Sequence, residues 1–223
     1  MFKITNYGKD VVLKVLFVTL AIDAAAFIVN IAAVKLALLG LSLFLLVFTL
    51  YFFRDPERKL PAGVTPDTII SPADGKVVLI EKISNNYPGF FEGTELMQVS
   101  VFLSPLNVHV NCYPVSGTLK YFNYIKGNYI VAFDHKSSEK NERSEIGIET
   151  RKGKKILFKQ IAGFVARRIV IDLKLNSEVK AGEKFGMIKF GSRVDMLVPV
   201  GTDIKVKIGD KVTAGVTEIA KFR

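Results

Sequence analysis

The chain is poor in the residues that usually carry catalysis. Its 223 residues include two histidines, one cysteine and no tryptophan. The lone Cys112 excludes an intrachain disulfide and any paired-thiol redox motif. No set of His, Cys and Asp has metal-ligand spacing, so no metal is expected. No glycine-rich loop leads into a helix to hold phosphate, and no aromatic-plus-basic nucleic-acid signature appears. An enzyme built from this sequence must draw its reactive group from something unusual.

What is present is positive charge and a concentration of apolar residues. The net charge of +10 favours anionic partners. Mean hydropathy is positive although 23% of residues are charged, because apolar residues gather between Val11 and Phe53. Leu36 to Phe53 carries no charge and is just long enough to span a bilayer. Val15 to Val34 is almost as apolar but contains Asp23 and Asn30. Joined by a tight turn near Asn30–Lys35, the two would form a membrane-associated helical hairpin within residues 1–55. A single interfacial helix is the alternative. A signal peptide followed by an anchor lacks a small-residue cleavage site here.

Lys3, Lys9 and Lys14 precede the hairpin and Arg54, Arg58 and Lys59 follow it, with only Lys35 between. Positive residues favour the cytoplasmic side, so both ends, and the domain over residues 56–223, are expected on the cytoplasmic face of the cell membrane. Pro56 stops the second helix. The charge of Arg54 and Arg58 reads as a topology anchor, with a substrate phosphate as the other candidate partner. A membrane is therefore expected as partner, and nucleic acid is not.

Beyond Pro61 the pattern changes to short β-rich runs between turn residues. Strands are expected at Lys76–Ile83, Met97–Leu103, Ile130–Phe133, Glu145–Thr150, Lys154–Gln160 and Arg168–Leu173, with a helical turn over Ala162–Arg167. Val179-Lys180-Ala181-Gly182-Glu183-Lys184 recurs as Val206-Lys207-Ile208-Gly209-Asp210-Lys211. Paired turns of this kind resemble those of biotinyl/lipoyl-type domains. The fold class is therefore mainly β, a barrel-sandwich-like catalytic domain after the helical hairpin.

One dipeptide offers unusual chemistry. A Ser192 hydroxyl could attack the unhindered carbonyl of Gly191, and elimination from the resulting ester would leave a pyruvoyl group. A neutral hydroxyl needs a base, and a carboxylate commonly orients that base. His109, set among apolar residues, is a better base than His135 in its polar loop. Asp74 reads by itself as an Asp-Gly turn. Spacing does not bring these residues together.

Several motifs in order do. Tyr51-Phe52-Phe53-Arg54-Asp55-Pro56-Glu57-Arg58, Ser71-Pro72-Ala73-Asp74-Gly75-Lys76-Val77 and Ser104-Pro105-Leu106-Asn107-Val108-His109-Val110-Asn111 come first. Asn141-Glu142-Arg143, Gln160-Ile161-Ala162-Gly163 with Ala166-Arg167-Arg168-Ile169-Val170, and Phe190-Gly191-Ser192-Arg193-Val194-Asp195 follow. The set resembles the short bacterial and archaeal type of phosphatidylserine decarboxylase. The resemblance implies cleavage between Gly191 and Ser192 into a β chain, 1–191, and an α chain, 192–223. Asp74, His109 and Ser192 would be the triad of self-processing. Ser192 would become the covalent pyruvoyl cofactor, which takes the anionic phospholipid substrate as a Schiff base and yields phosphatidylethanolamine and carbon dioxide. The longer bacterial enzymes carry a second histidine where this chain has Leu106, so which group protonates the product stays open, with His109 a candidate. A homo-oligomer is compatible with all of this. The competing readings are a carrier module modified at Lys189 and a non-enzymatic, membrane-anchored adaptor.

Overall fold

A computed structural model describes residues 3–84, 87–92, 95–127, 141–163, 168–189 and 192–223. The chain divides into two compact units, Met1–Pro56 and Glu57–Arg223.

The first unit is a pair of helices, α1 (Lys9–Ile28) and α2 (Ala32–Phe52). Apart from Lys9, Asp10, Lys14 and Asp23 in α1 and Lys35 in α2, apolar residues run around both, and Leu13, Phe17, Leu20, Phe27, Leu43 and Phe44 lie exposed. A helix apolar all round suits lipid rather than water. Each is long and apolar enough to cross a membrane, since twenty residues of helix span about 30 Å. They meet at small residues, where Ser42 Oγ donates to the Thr19 carbonyl at 3.4 Å, as membrane helices tend to do. Two expectations need correction. α1 begins at Lys9, well before Val15. Lys35 lies in the first turn of α2, not in the connection, because lysine is a good helix former and its amide closes on Ile31 O at 3.0 Å. α2 stops ahead of Pro56, where an isolated antiparallel bridge joins Ile4 to Arg54: Thr5 N donates to Phe53 O and Asp55 N to Lys3 O.

The second unit is built from strands. In order they are β1 (Thr68–Ile70), β2 (Gly75–Ser84), β3 (Glu95–Leu103), β4 (Val110–Cys112), β5 (Gly117–Ile125), β6 (Arg143–Glu149) and β7 (Lys155–Ala162). Then come β8 (Arg168–Ile171), β9 (Glu178–Val179), β10 (Lys184–Lys189), β11 (Ser192–Pro199), β12 (Asp203–Ile204), β13 (Lys211–Val212) and β14 (Glu218–Lys221). Eight form one curled antiparallel sheet in the order β13-β2-β3-β11-β7-β6-β5-β9. The fold is mainly β, as expected. The strand expected at Ile130–Phe133 lies outside the described residues, as do 164–167. Ala162, expected to open a helical turn, instead ends β7, because its neighbours Gln160 and Ile161 continue the alternation of a sheet buried on both faces. β5 was not expected; Lys120, Phe122, Asn123 and Tyr124 are all exposed on it, so polar and apolar residues do not alternate as in a half-buried strand.

On β11 the alternation separates two environments. Val194, Met196 and Val198 join the main core with Val99, Val101, Leu103 and Phe158. Leu197 packs on the other face with Leu96, Leu157, Phe90 and Phe91.

Backbone bonds reveal an internal two-fold. Ile70 N donates to Pro114 O at 3.0 Å while Cys112 N donates to Pro72 O at 3.1 Å. Gly75 pairs with Val212 and Gly117 with Val179. Gly215 N reaches Ser71 O and Gly182 N reaches Tyr113 O, both at 2.9 Å. Both glycines are needed for close approach. A Cβ on Gly75 would lie 2.1 Å from Phe102 O, and one on Gly117 2.3 Å from Glu149 O. The two turns of the sequence repeat do close alike, with Glu183 N donating to Lys180 O and Asp210 N to Lys207 O. By topology, however, Val179-Lys180-Ala181-Gly182 corresponds to Val212-Thr213-Ala214-Gly215.

Candidate active site

Asp74 and Ser192 stand at strand ends of the large sheet, and His109 stands just ahead of a strand in a separate sheet. Ser192 opens β11, opposite Leu103 of β3 on one side and Ala162 of β7 on the other. It shares its face with Val194 and so points to the main core. The residue is fully buried, and its hydroxyl has no hydrogen-bond partner among the described residues. A buried hydroxyl without a partner costs about 1–3 kcal/mol, which a purely structural position would avoid by carrying alanine. A pyruvoyl group would fit here, being no larger than serine and lacking the hydroxyl proton. Gly191 lies outside the described residues, as does His135.

His109 precedes β4 and is also fully buried. Its backbone carbonyl accepts from Ile188 N at 3.3 Å, which joins it to the strand that leads toward Ser192. Its Nδ1 lies 2.9 Å from Asn107 O. A carbonyl can only accept, so Nδ1 carries a proton, which leaves Nε2 as the nitrogen able to act as a base. Asn107 is held in turn, since its side-chain oxygen accepts from Ser104 N at 2.9 Å and Ser104 Oγ at 2.8 Å. The exposed Leu106 sits in this same turn.

Asp74 stands just ahead of β2, whose Lys76 pairs with Phe102 of β3. It therefore lies at the same end of the sheet as Ser192, with β3 between. Its carboxylate is forked by Arg58, with Nη1 2.5 Å from Oδ1 and Nη2 2.7 Å from Oδ2. Oδ1 also accepts from Ala214 N at 2.9 Å. Among the described residues no hydrogen bond joins the Asp74, His109 and Ser192 side chains to one another. The structure thus puts Asp74 and Ser192 at the same end of the large sheet, with His109 ahead of a strand of a separate sheet, and gives Asp74 and His109 separate immediate partners.

Sequence reasoning missed three groups around them. Arg58 read as an anchor, yet its guanidinium sits on Asp74. Arg54, by contrast, stacks over Tyr51, 3.8 Å from the ring centre. Arg193 and Asp195 form a buried pair directly after Ser192, with Nε 2.8 Å from Oδ1 and Nη2 3.1 Å from Oδ2. A buried chain also runs from Ser144 Oγ to Gln160 Oε1 at 2.9 Å and from Gln160 Nε2 to Asn111 Oδ1 at 2.8 Å. Asn111 Nδ2 ends it, donating to Pro72 O at 3.4 Å and so tying the His109 segment to the Asp74 segment. A buried polar Gln160 close to Ile156, Leu157, Phe158 and Ile161 was the available signal.

Lys189, the alternative carrier lysine, is buried at the end of β10 rather than displayed on a turn. A modifying enzyme would not reach it. Among the described residues no three His, Cys, Asp or Glu side chains converge on a metal position.

Comparison with known proteins decides the relationship. Residues 45–220 match the family model described as phosphatidylserine decarboxylase. The chain belongs to the phosphatidylserine decarboxylase family. A relative from Chlorobium limicola, named phosphatidylserine decarboxylase proenzyme, is 44% identical over 98% of this chain and all of its own length. One of the same name from Chlorobium luteolum is 46% identical over 98% of this chain and all of its own. A third, from Chlorobium phaeovibrioides, reaches 51% over 79% of this chain and 78% of its own. The word proenzyme in these names describes family members that are made as precursors. Within the family pattern, the Ser192 region, the His109 turn and the Asp74 turn all fall inside the matched span.

Proposed function

We propose that this chain is a self-processing, pyruvoyl-dependent phosphatidylserine decarboxylase acting at a membrane surface. The observation that carries the reading is the buried Ser192 hydroxyl, which has no hydrogen-bond partner among the described residues, at the head of a central strand. Family membership supports the substrate.

Self-processing begins when the Ser192 hydroxyl passes its proton to His109 Nε2 and adds to the Gly191 carbonyl. The peptide C–N bond breaks as the new C–O bond forms, and the proton moves to the freed Ser192 amine. Elimination across Cα–Cβ of Ser192 then releases residues 1–191 as a carboxylate. Hydrolysis by one water removes ammonia and leaves the pyruvoyl group at the head of 192–223. Asn107 contributes by fixing the proton on Nδ1, so that Nε2 is free of it at the start.

In the mature enzyme a pyruvoyl group at position 192 would supply a carbonyl able to hold the substrate amine and to take up the electrons left by carbon dioxide. His109, buried and held by Asn107, delivers a proton to the carbon that has lost carbon dioxide. The core around Val194, Leu103 and Ala162 excludes bulk water from that carbon. The apolar hairpin keeps the catalytic unit beside its lipid substrate, and Lys3, Lys9, Lys14, Arg54 and Lys59 favour the cytoplasmic face.

Denaturing intact mass tests the reading. The purified protein is expected as two chains, 1–191 and 192–223, the smaller blocked at its N-terminus. Ser192→Ala is expected to stay one chain and to release no carbon dioxide from phosphatidylserine. Cleavage or turnover by that variant would refute the proposal.

A further inference from the structure

Asp74 carries more than the fold asks of it, and the internal two-fold supplies the comparison. Ser116 occupies in the second half the place that Asp74 occupies in the first. Ala181 N donates to Ser116 Oγ at 2.9 Å, just as Ala214 N donates to Asp74 Oδ1 at 2.9 Å. The turn there needs one side-chain acceptor, and a hydroxyl meets that need. The first half instead places a carboxylate, its side chain 13% exposed, and a guanidinium, 19% exposed, in the same position. Withdrawing two charges from water is costly, and replacing such a pair by well-packed apolar groups of similar volume is often neutral or stabilising. The pair is surplus to folding.

We propose that Arg58 is the positioning residue of the self-processing site, fixing the direction in which Asp74 can act. This rests on the reading of Asp74 as the carboxylate of the triad. An ionised carboxylate offers about four acceptor sites. Arg58 Nη1 and Ala214 N take two on Oδ1, and Arg58 Nη2 takes one on Oδ2. One site remains, on Oδ2. The planar fork sets its direction, because two parallel bonds hold the carboxylate's plane as well as its place. Arg58 is itself fixed by a bond from Nη1 to Ala214 O at 3.0 Å. Lysine could match the charge but not the fork. Arg58 touches none of the reacting atoms; it acts through Asp74.

The test follows maturation of the full chain made in the presence of anionic phospholipid vesicles, reading the two-chain product by intact mass over time. Arg58→Ala is expected to mature about a hundredfold more slowly, the scale of a misplacement near 1 Å. Arg58→Lys is expected to fall between it and the wild type. Added guanidinium ion should restore part of the rate to Arg58→Ala and none to Asp74→Asn. The double variant Arg58→Ala/Asp74→Ser rebuilds the arrangement seen at Ser116. It should melt close to the wild type and still not mature. Arg58→Ala maturing at the wild-type rate while Asp74→Asn does not would overturn this inference alone. So would slowing that guanidinium does not relieve, or a double variant that melts far below the wild type, since either makes the pair structural. Asp74→Asn maturing normally would instead remove Asp74 from the proposed triad, and this inference with it.

Discussion

Asp195→Asn is the sharpest probe of what supports Ser192. Three residues along β11, the Asp195 side chain is fully buried and its Arg193 partner is 2% exposed. The substitution keeps the shape of the side chain but removes its charge. It leaves the Arg193 guanidinium buried without its carboxylate. Removing one member of a buried pair costs about 3–5 kcal/mol, because the remaining charge has lost its compensation. For a chain of this size 1 kcal/mol corresponds to about 2–4 °C in Tm, so the loss should be about 6–20 °C. Thermal unfolding of the detergent-solubilised full chain by circular dichroism measures it. Because Arg193 directly follows Ser192, maturation measured in parallel should slow as well. Arg193→Met/Asp195→Leu, with no charge left to bury, should recover most of the Tm. A shift under 2 °C for Asp195→Asn, or a double variant no better than the single one, would refute the reasoning.

Two further outcomes follow from buried groups elsewhere. Gly75→Ala puts a Cβ 2.1 Å from Phe102 O and should destabilise by about 1–3 kcal/mol in a denaturant melt, whereas Gly40→Ala in α2, with open space around it, should be neutral. The Cys112 thiol is pushed up to about 12 from 9.0, chiefly by burial. The folded state thus keeps a proton that the unfolded chain loses above pH 9, so stability should fall as pH rises from 9 toward 12. The difference between wild type and Cys112→Ala should shrink by about 1.4 kcal/mol per pH unit in that window.

Periodicity was a good guide where strands have one wet face or a continuous apolar run. β2, β3, β6 and β7 stand within a few residues of their expected places. It failed on β11, since Arg193 and Asp195 look like turn residues until their mutual pairing makes them compatible with a buried strand. It failed on β5 for a different reason, because Phe122 and Tyr124 are exposed along with Lys120 and Asn123, so no polar–apolar alternation marks the strand. The residues of the candidate site were legible only through the resemblance of ordered motifs. What no motif could show is who holds whom. The fork of Arg58 on Asp74 and the bond from Ser144 through Gln160 to Asn111 depend on chain crossings that only the fold creates. The internal two-fold was half visible, because the turn chemistry repeats in sequence while the topological equivalence follows a different pairing of segments.

The place of β11 bears on what a cut ahead of Ser192 would do to the molecule. The segment 192–223 is not an appendage. β11 lies in the middle of the large sheet between β3 and β7, β13 forms the edge beside β2, and β14 lies in a separate sheet between β1 and β12. A severed segment would remain threaded through all three places, and leaving would mean unzipping the interior strand by strand. The two chains would then be a permanent pair in the kinetic sense, unable to swap partners between molecules without first unfolding. Neither would be recoverable by mixing separately purified halves under native conditions. Scission would be one-way for the architecture as well as for the peptide bond.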